Sequence, residues 1–161
     1  MLDMKPMKTN EINRIKSDRQ IPLSIIDIFY EILGNMKGKL IDIRIENNIL
    51  KTFTDDDGFN NDDKKAIFEK NCSGDNNKTA GLNGHGIKLS IDRLLPNDNL
   101  STVYSIRGDN VEKCNIGHFE YNEWVSVNNF EGIFDGKEKV SHGSYFEIPL
   151  NDDYKDEINE K

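Results

Sequence analysis

The chain has 161 residues and a formal net charge of -8 at pH 7, with 35% hydrophobic and 31% charged residues. This length corresponds to about one domain, and such a chain buries roughly two-thirds of its unfolded surface, so a single core is expected. The acidic balance argues against direct DNA binding, which usually needs a basic face. No apolar run approaches the ~20 residues of a membrane span, and the N-terminus lacks the apolar core of a secretion signal. We therefore expect a cytoplasmic or nuclear protein without membrane contact.

The two ends of the chain differ in charge from the middle. Residues 1–20 are basic and residues 151–161 are acidic, and both segments are expected to be solvated arms or tails around a domain at 21–150. The two cysteines, Cys72 and Cys114, are expected to be reduced thiols. Their spacing to the three histidines does not fit a structural zinc site.

The first half of the predicted domain begins with a helix and continues with a hairpin. Pro22 lies near the start of an apolar-periodic run that ends near Gly34. The buried stripe of this helix is expected to comprise Ile25, Ile26, Phe29, Leu33 and Met36. Residues 40–46 alternate at period two, and a second run follows the turn signal of Asn47 and Asn48, which predicts a β-hairpin.

The second half contains a long polar loop, a helix and a strand-rich region. A short helix is predicted over 62–70, followed by a polar stretch without periodicity and then a helix over 85–95. Four strand-like runs follow, separated by turn residues. We find no internal repeat. The predicted fold class is therefore α+β, a two-layer sandwich with helices on one face of a mixed, mostly antiparallel sheet.

Three polar groups fall at the edges of these elements. Glu31 and Asn35 are four residues apart on the first helix, where one could orient a water and the other a cation. Asp56 and Gly58 follow a strand, in a turn where a glycine lets a flat ligand approach the backbone. The glycine loop at 81–86 precedes a helix N-terminus, which is suited to an anion. Each group alone has a simpler reading as surface or turn, whereas together they favour a nucleotide.

Four motifs occur in one order: EILGN (31–35), DDG (56–58), GLNGHGIKL (81–89) and GSYFEIPL (143–150). In this order they resemble the GHKL superfamily of ATP-binding domains, which have the Bergerat fold. Type II topoisomerases, including gyrase, and Microrchidia-type ATPases are the most similar branches.

The resemblance implies a set of roles. Glu31 would be the general base for the attacking water, and Asn35 would coordinate Mg²⁺. Asp56 would accept a hydrogen bond from adenine, Gly58 would make room for the ring, and Ser144 would hold a water near it. The remaining cofactor-binding residues would wrap the phosphates of ATP: Gly81, Asn83, Gly84, His85, Gly86, Ile87 and Lys88.

Two positions depart from the motifs of that superfamily. Gly38 stands where the first helix usually has Asp, and Asn60 replaces the second glycine of the adenine loop. The resemblance implies slow hydrolysis of Mg·ATP with lid closure as a conformational or dimerisation switch. The basic N-terminal arm could reach across to a second copy in a homodimer. The resemblance also implies a second protein that supplies a transducer-like domain with a phosphate-sensing lysine. A phosphotransferase of the histidine-kinase type and a nucleotide-binding module without turnover remain the alternatives.

Overall fold

The computed structural model describes residues 4–34, 40–61, 64, 85–127 and 141–154. Within these ranges the chain forms three ten-residue helices and eight strands. Their bounds in chain order are β1 Lys5–Pro6, α1 Thr9–Asp18, α2 Ile25–Gly34, β2 Ile41–Glu46, β3 Ile49–Thr54, α3 His85–Leu94, β4 Ser101–Arg107, β5 Asn110–Ile116, β6 Glu120–Tyr121, β7 Val125–Val127 and β8 His142–Pro149. The predicted short helix over 62–70 falls outside these residues, except for Lys64.

The strands form one sheet in the order β1-β6-β5-β4-β8-β3-β2, with β7 paired to β5. Every pairing among the described strands is antiparallel. The predicted hairpin is confirmed as β2 and β3. Asn47 and Asn48 have φ angles of 54° and 64°, and positive φ at both positions is the geometry of a type I′ turn.

The helices and the sheet make two layers, which confirms the predicted α+β sandwich. The main core lies between them and joins helix residues such as Ile15, Ile28 and Ile91 to strand residues such as Val103 and Ile148. A smaller cluster on the opposite face of the sheet comprises Phe53, Ile106, Val111 and Tyr145. Alternation along the strands explains both, because successive side chains point to opposite faces.

The buried stripe of α2 differs from the predicted one. Ile25, Ile28 and Ile32 are buried and Phe29 packs against the same core, whereas Ile26 is 47% exposed. The observed set follows the i, i+3, i+4, i+7 spacing of one helix face more closely than the predicted set did. The side chain of Leu33 and all of Met36 lie outside the described residues.

The N-terminal segment also differs from the expected flexible arm. β1 pairs with β6, the Met7 N–H donates to the Phe119 carbonyl at 2.8 Å, and Ile15 of α1 is fully buried. The basic residues of α1 remain at its surface while one apolar side of the helix enters the core. The net charge of residues 1–20 does not reveal that one side of the helix is apolar and buried.

Residues 151–154, expected to begin an acidic tail, are part of the folded structure. The Asn151 N–H donates to the Leu94 carbonyl and its side-chain amide donates to the Arg93 carbonyl, each at 2.7 Å. These carbonyls belong to the last turn of α3, which has no intrahelical donors for them. Tyr154 packs against the main core. Asn151 therefore caps the C-terminus of α3.

Candidate functional site

The Asp56 carboxylate lies just beyond β3, beside the start of β8. Its Oδ1 atom accepts a hydrogen bond from the Gly58 N–H at 2.9 Å and another from the Ser144 hydroxyl at 2.8 Å. The β3–β8 register creates this meeting, because Thr54 pairs directly with Ser144 and Asp56 follows two residues later. Ser144 is almost fully buried and Asp56 is partly exposed. The structure thus brings together two site residues that are 88 positions apart in the sequence.

Gly58 is required by the packing of the turn itself. Its φ is +75°, and a Cβ there would lie 2.8 Å from the Ile106 carbonyl oxygen and 3.0 Å from Ser105 Oγ. No side chain fits at that approach distance, and the positive φ independently favours glycine. The next residue, Phe59, donates its N–H to Ser105 Oγ at 2.8 Å. The turn after β3 is therefore hydrogen-bonded to β4 as well as to β8.

A third contact holds the backbone of Asp56. His142 Nδ1 donates to the Asp56 carbonyl at 2.7 Å. This acceptor, together with the nearby carboxylates of Asp55 and Asp57, raises the pKa of the exposed His142 above its ordinary value. The Asp56 turn is accordingly fixed through both its side chain and its main chain.

Lys88 on α3 contacts α1. Its ammonium forms an ion pair with the Glu11 carboxylate, and the side chains are only 1% and 0% exposed. The sequence predicts Lys88 near the phosphates of a nucleotide, and in this structure its charge lies against the Glu11 carboxylate. Glu11 is not among the predicted site residues, because the sequence predicts a flexible arm over residues 1–20.

Two further ion pairs join α1 and its C-terminal end to α3. Asp92, with a side chain 2% exposed, accepts from Arg19 Nε at 2.9 Å and from Arg19 Nη2 at 2.6 Å. Arg93 Nε donates to Asp18 at 2.9 Å. The sign of the charge alternates along α3, which contributes two cations and one anion to these pairs. We call these contacts the α1–α3 ion pairs: Glu11 with Lys88, Asp18 with Arg93, and Arg19 with Asp92.

His118 completes the environment of Asp92. Its Nδ1 lies 2.6 Å from Asp92 Oδ1 and its Nε2 lies 3.2 Å from the Pro96 carbonyl. Two acceptors around one imidazole favour its protonated form, so the pKa of His118 is raised, chiefly by the Asp92 hydrogen bond. Burial alone would raise the pKa of Asp92, but hydrogen bonds and charge from Arg19 and His118 bring it below its ordinary value.

The remaining predicted site residues are only partly covered by the structure. Glu31 lies in α2 as predicted, but its side chain is outside the described residues, as is all of Asn35. Gly81, Asn83 and Gly84 are outside them too. α3 begins at His85, the residue at which the sequence predicts a helix, although the side chains of His85 and Ile87 are not described.

Comparison with known proteins identifies the fold that positions these residues. No family model matches the sequence, and no curated protein matches it. Among the matching solved structures is the 43K ATPase domain of Thermus thermophilus gyrase B in complex with an aminocoumarin. It superposes with a TM-score of 0.52 and 13% sequence identity over 79% of this chain. The chain has the Bergerat fold. It spans 34% of the length of that gyrase B structure.

Within this Bergerat fold, the best-defined part of the candidate site is the Asp56 turn. Ser105 and His142 were not among the predicted site residues, although each makes a direct hydrogen bond to the turn. Ser105 lies in β4, and the sequence around it does not distinguish it from an ordinary serine of the core. His142 directly precedes the GSYFEIPL motif, and that position was the only available signal for it.

The described residues do not contain the features of two other kinds of site. In those ranges no cluster of three or more histidine, cysteine, aspartate or glutamate side chains could hold a metal ion. In the same part of the chain, no helix has the length and apolar character needed to cross a bilayer. Cys114 is fully buried, and burial raises the pKa of its thiol.

Proposed function

We propose that this chain binds ATP, with the Asp56 carboxylate accepting a hydrogen bond from the exocyclic amino group of adenine. The observation that carries the proposal is the double anchoring of Asp56 Oδ1 by the Gly58 N–H and the Ser144 hydroxyl. A carboxylate held in one orientation loses little further freedom when it binds a ligand, so its hydrogen bond to the base is pre-organised.

The chemistry of the base gives this contact its selectivity. Adenine presents an amino donor at the position where guanine and hypoxanthine present a carbonyl acceptor. An ionised carboxylate only accepts hydrogen bonds, so it would repel the carbonyl of those bases. A site that pairs with a donor rejects a ligand that lacks one, because its own polar atom then remains unpaired. Asp56 is accordingly the residue that would discriminate ATP from GTP and ITP.

The phosphates would lie at the N-terminus of α3. That helix begins at His85, immediately after a sequence that contains Gly81 and Gly84, and unpaired N–H groups in a first helical turn attract anions. The residues that we propose around the phosphates are Gly81, Asn83, Gly84, His85, Gly86, Ile87 and Lys88. For Lys88 to contact them, its ammonium would have to leave or share the Glu11 carboxylate.

Slow hydrolysis is the second part of the proposal. Glu31 would polarise the attacking water, and Asn35 would hold Mg²⁺ through its amide oxygen. When bound, the cation neutralises charge on the phosphates. Closure of the loop before α3 would then act as a conformational switch for a homodimer or for a second protein with a transducer-like domain. Because residues 4–20 pack on their own chain, any dimer formed through this segment would have to retain or replace those contacts.

Calorimetry with base-substituted nucleotides tests the proposed adenine contact. Wild-type protein is expected to bind ATP and to bind GTP and ITP at least about tenfold more weakly, because a hydrogen bond to a charged group contributes about 1.5–3 kcal/mol. Asp56→Asn keeps an oxygen for Gly58 and Ser144 but lowers the acceptor charge, so ATP affinity and the discrimination should both fall. The matched control is Asp57→Asn, which changes the exposed neighbour and should bind like wild type.

A thermal-shift titration checks that the variants are folded before affinity is compared. At about one hundred times its dissociation constant, a ligand adds about 2.7 kcal/mol to the free energy of unfolding. Absence of both heat and thermal shift with Mg·ATP in the wild type would refute the proposal. Equal affinity for ATP and GTP would refute the role of Asp56 while leaving nucleotide binding intact.

Turnover is tested separately through Glu31. The Glu31→Ala variant should keep ATP affinity and lose phosphate release, because it removes a base and no adenine contact. Binding by the wild type without any phosphate release would exclude the hydrolytic part of the proposal.

A further inference from the structure

Strand β2 lies at one end of the sheet and carries an exposed apolar face. Among the described strands it pairs only with β3. Ile41, Ile43 and Ile45 alternate along it and are 40%, 42% and 42% exposed. An edge strand with a row of exposed isoleucines readily pairs with another strand, and soluble proteins usually protect such an edge with lysine, proline or a bulge. The IDIRIE sequence of β2 contains neither lysine nor proline.

Within the described residues, some main-chain groups of β2 beside these isoleucines do not pair with β3. The Leu40 carbonyl accepts from the Asp55 N–H at 3.3 Å, so the main-chain groups of the even-numbered residues face β3. Main-chain direction alternates along an antiparallel strand. The N–H and carbonyl groups of Ile41, Ile43 and Ile45 therefore point away from β3, toward the outer edge. A new antiparallel strand must place its own outward-facing residues opposite these three.

The charges on β2 select one register for pairing with itself. Arg44 Nε lies 3.1 Å from Asp42 Oδ1 and Arg44 Nη2 lies 3.0 Å from Oδ2, on the side of the strand opposite the isoleucines. If two copies pair with Ile43 opposite Ile43, Asp42 of each lies opposite Arg44 of the other. Shifting the register by two residues in either direction places Asp42 opposite Asp42 or Arg44 opposite Arg44. Like charges directly opposite each other are destabilising, whereas opposite charges stabilise a sheet.

We propose that β2 is a homodimerisation edge, on which β2 of a second copy pairs antiparallel about a two-fold axis at Ile43. The partner is this same chain because its edge satisfies three requirements at once. It offers outward main-chain groups, a matching isoleucine row and Asp42–Arg44 pairs in both directions. The two sheets become one continuous sheet across the axis, with Ile41 of each copy opposite Ile45 of the other. This is an isologous interface, as two-fold symmetry requires.

Sedimentation across protein concentrations from micromolar to millimolar tests for the dimer, without nucleotide so that the result does not depend on the proposed function. Wild-type protein should dimerise reversibly. Ile43→Lys places a charge on the axis and should be monomeric at every concentration, with an unchanged melting temperature for the monomer because Ile43 is partly exposed. The control is Ile21→Lys, which changes an equally apolar residue that is 54% exposed and lies between α1 and α2 in the chain. A monomeric wild type, or equal loss of dimer in the control, would overturn the proposal.

Cysteine cross-linking tests the register itself, in a background with Cys72 replaced by Ser. Ile43→Cys should form a disulfide-linked dimer on mild oxidation, because directly opposite residues have Cα atoms about 5.5 Å apart, within the range of a disulfide. Ile41→Cys alone should not, because the two positions would be separated by four residues, about 13 Å along the strand. A mixture of Ile41→Cys and Ile45→Cys proteins should cross-link. Cross-linking of Ile41→Cys with itself at the Ile43→Cys rate would exclude this register.

Charge exchange gives an independent test of Asp42 and Arg44. Asp42→Arg places like charges opposite each other in both symmetry-related pairs and should weaken the dimer by about tenfold. Adding Arg44→Asp in the same chain restores opposite charges across the axis and should restore the dimer. Failure of the double variant to recover, with both variants folded, would overturn the paired-charge arrangement.

Discussion

Replacing Asp92 with alanine tests whether the buried carboxylate between α1, α3 and His118 holds this part of the fold together. The side chain is 2% exposed and accepts hydrogen bonds from Arg19 at 2.6 and 2.9 Å and from His118 at 2.6 Å. The substitution removes the shared acceptor and leaves both donors in place. It also leaves the main-chain contacts of α3 intact.

The expected loss follows from the exposure of the two donors. A hydrogen bond to a charged group contributes about 1.5–3 kcal/mol, and breaking a buried pair costs about 3–5 kcal/mol when the remaining charge stays buried. Arg19 is 41% exposed and His118 is 18% exposed, so water can reach much of the stranded guanidinium. We therefore expect Asp92→Ala to lower the free energy of unfolding by about 2–3 kcal/mol.

Urea denaturation near neutral pH measures this loss as a shift in midpoint at constant m-value. For a chain of this size, each kcal/mol corresponds to about 2–4 °C, so the melting temperature should fall by roughly 4–12 °C. The control is Asp153→Ala, an exposed aspartate in the last described turn, which should change stability by less than about 0.5 kcal/mol. An Asp92→Ala loss no larger than that of the control would refute this account of the cluster.

Three other perturbations have defined outcomes. Because the folded-state pKa of His118 is raised, its contribution to stability should be complete below about pH 6.5 and disappear as pH rises through the folded pKa. The difference between the urea midpoints of wild type and Asp92→Ala should narrow over that range without vanishing, because the Arg19–Asp92 ion pair is retained. Gly58→Ala should lower the free energy of unfolding by about 1–3 kcal/mol, or by more because its Cβ would clash with β4. A melting temperature equal to that of the wild type would contradict the strain in this turn. Glu11→Leu should lower the free energy of unfolding by about 3–5 kcal/mol, because it leaves the Lys88 charge buried without its carboxylate. Adding Lys88→Leu should recover much of that loss, and a double variant with no recovery in urea unfolding would contradict the buried pair.

Local signals in the sequence were sufficient for the elements that have strong periodicity or turn chemistry. The run from Ser101 to Arg107 is the strand β4 as predicted, and the Asn47–Asn48 turn joins β2 to β3 because asparagine tolerates positive φ. The motifs predict Asp56 and Ser144 separately as site residues. Their hydrogen bond depends on the β3–β8 register, which links distant segments and cannot be read from either one.

Other features depended on tertiary packing and were not accessible from local patterns. α1 has polar or charged residues on most of its surface, and its burial comes from a few positions such as Ile15 that meet α3 and the sheet. Glu11 would ordinarily be assigned to solvent, since glutamate is rarely fully buried without a partner. Its partner, Lys88, lies 77 residues away, so only the folded chain shows why both charges are inside.

The α1–α3 ion pairs restrict how this protein can vary over evolution. A change of charge at position 88, 92 or 93 strands its partner at 11, 19 or 18 unless that residue changes as well. Relatives with this arrangement should therefore show correlated substitutions at these positions, either reversed in sign or both apolar. Grafting the first twenty residues from a relative with different charges would create mismatches next to the helix that begins at His85.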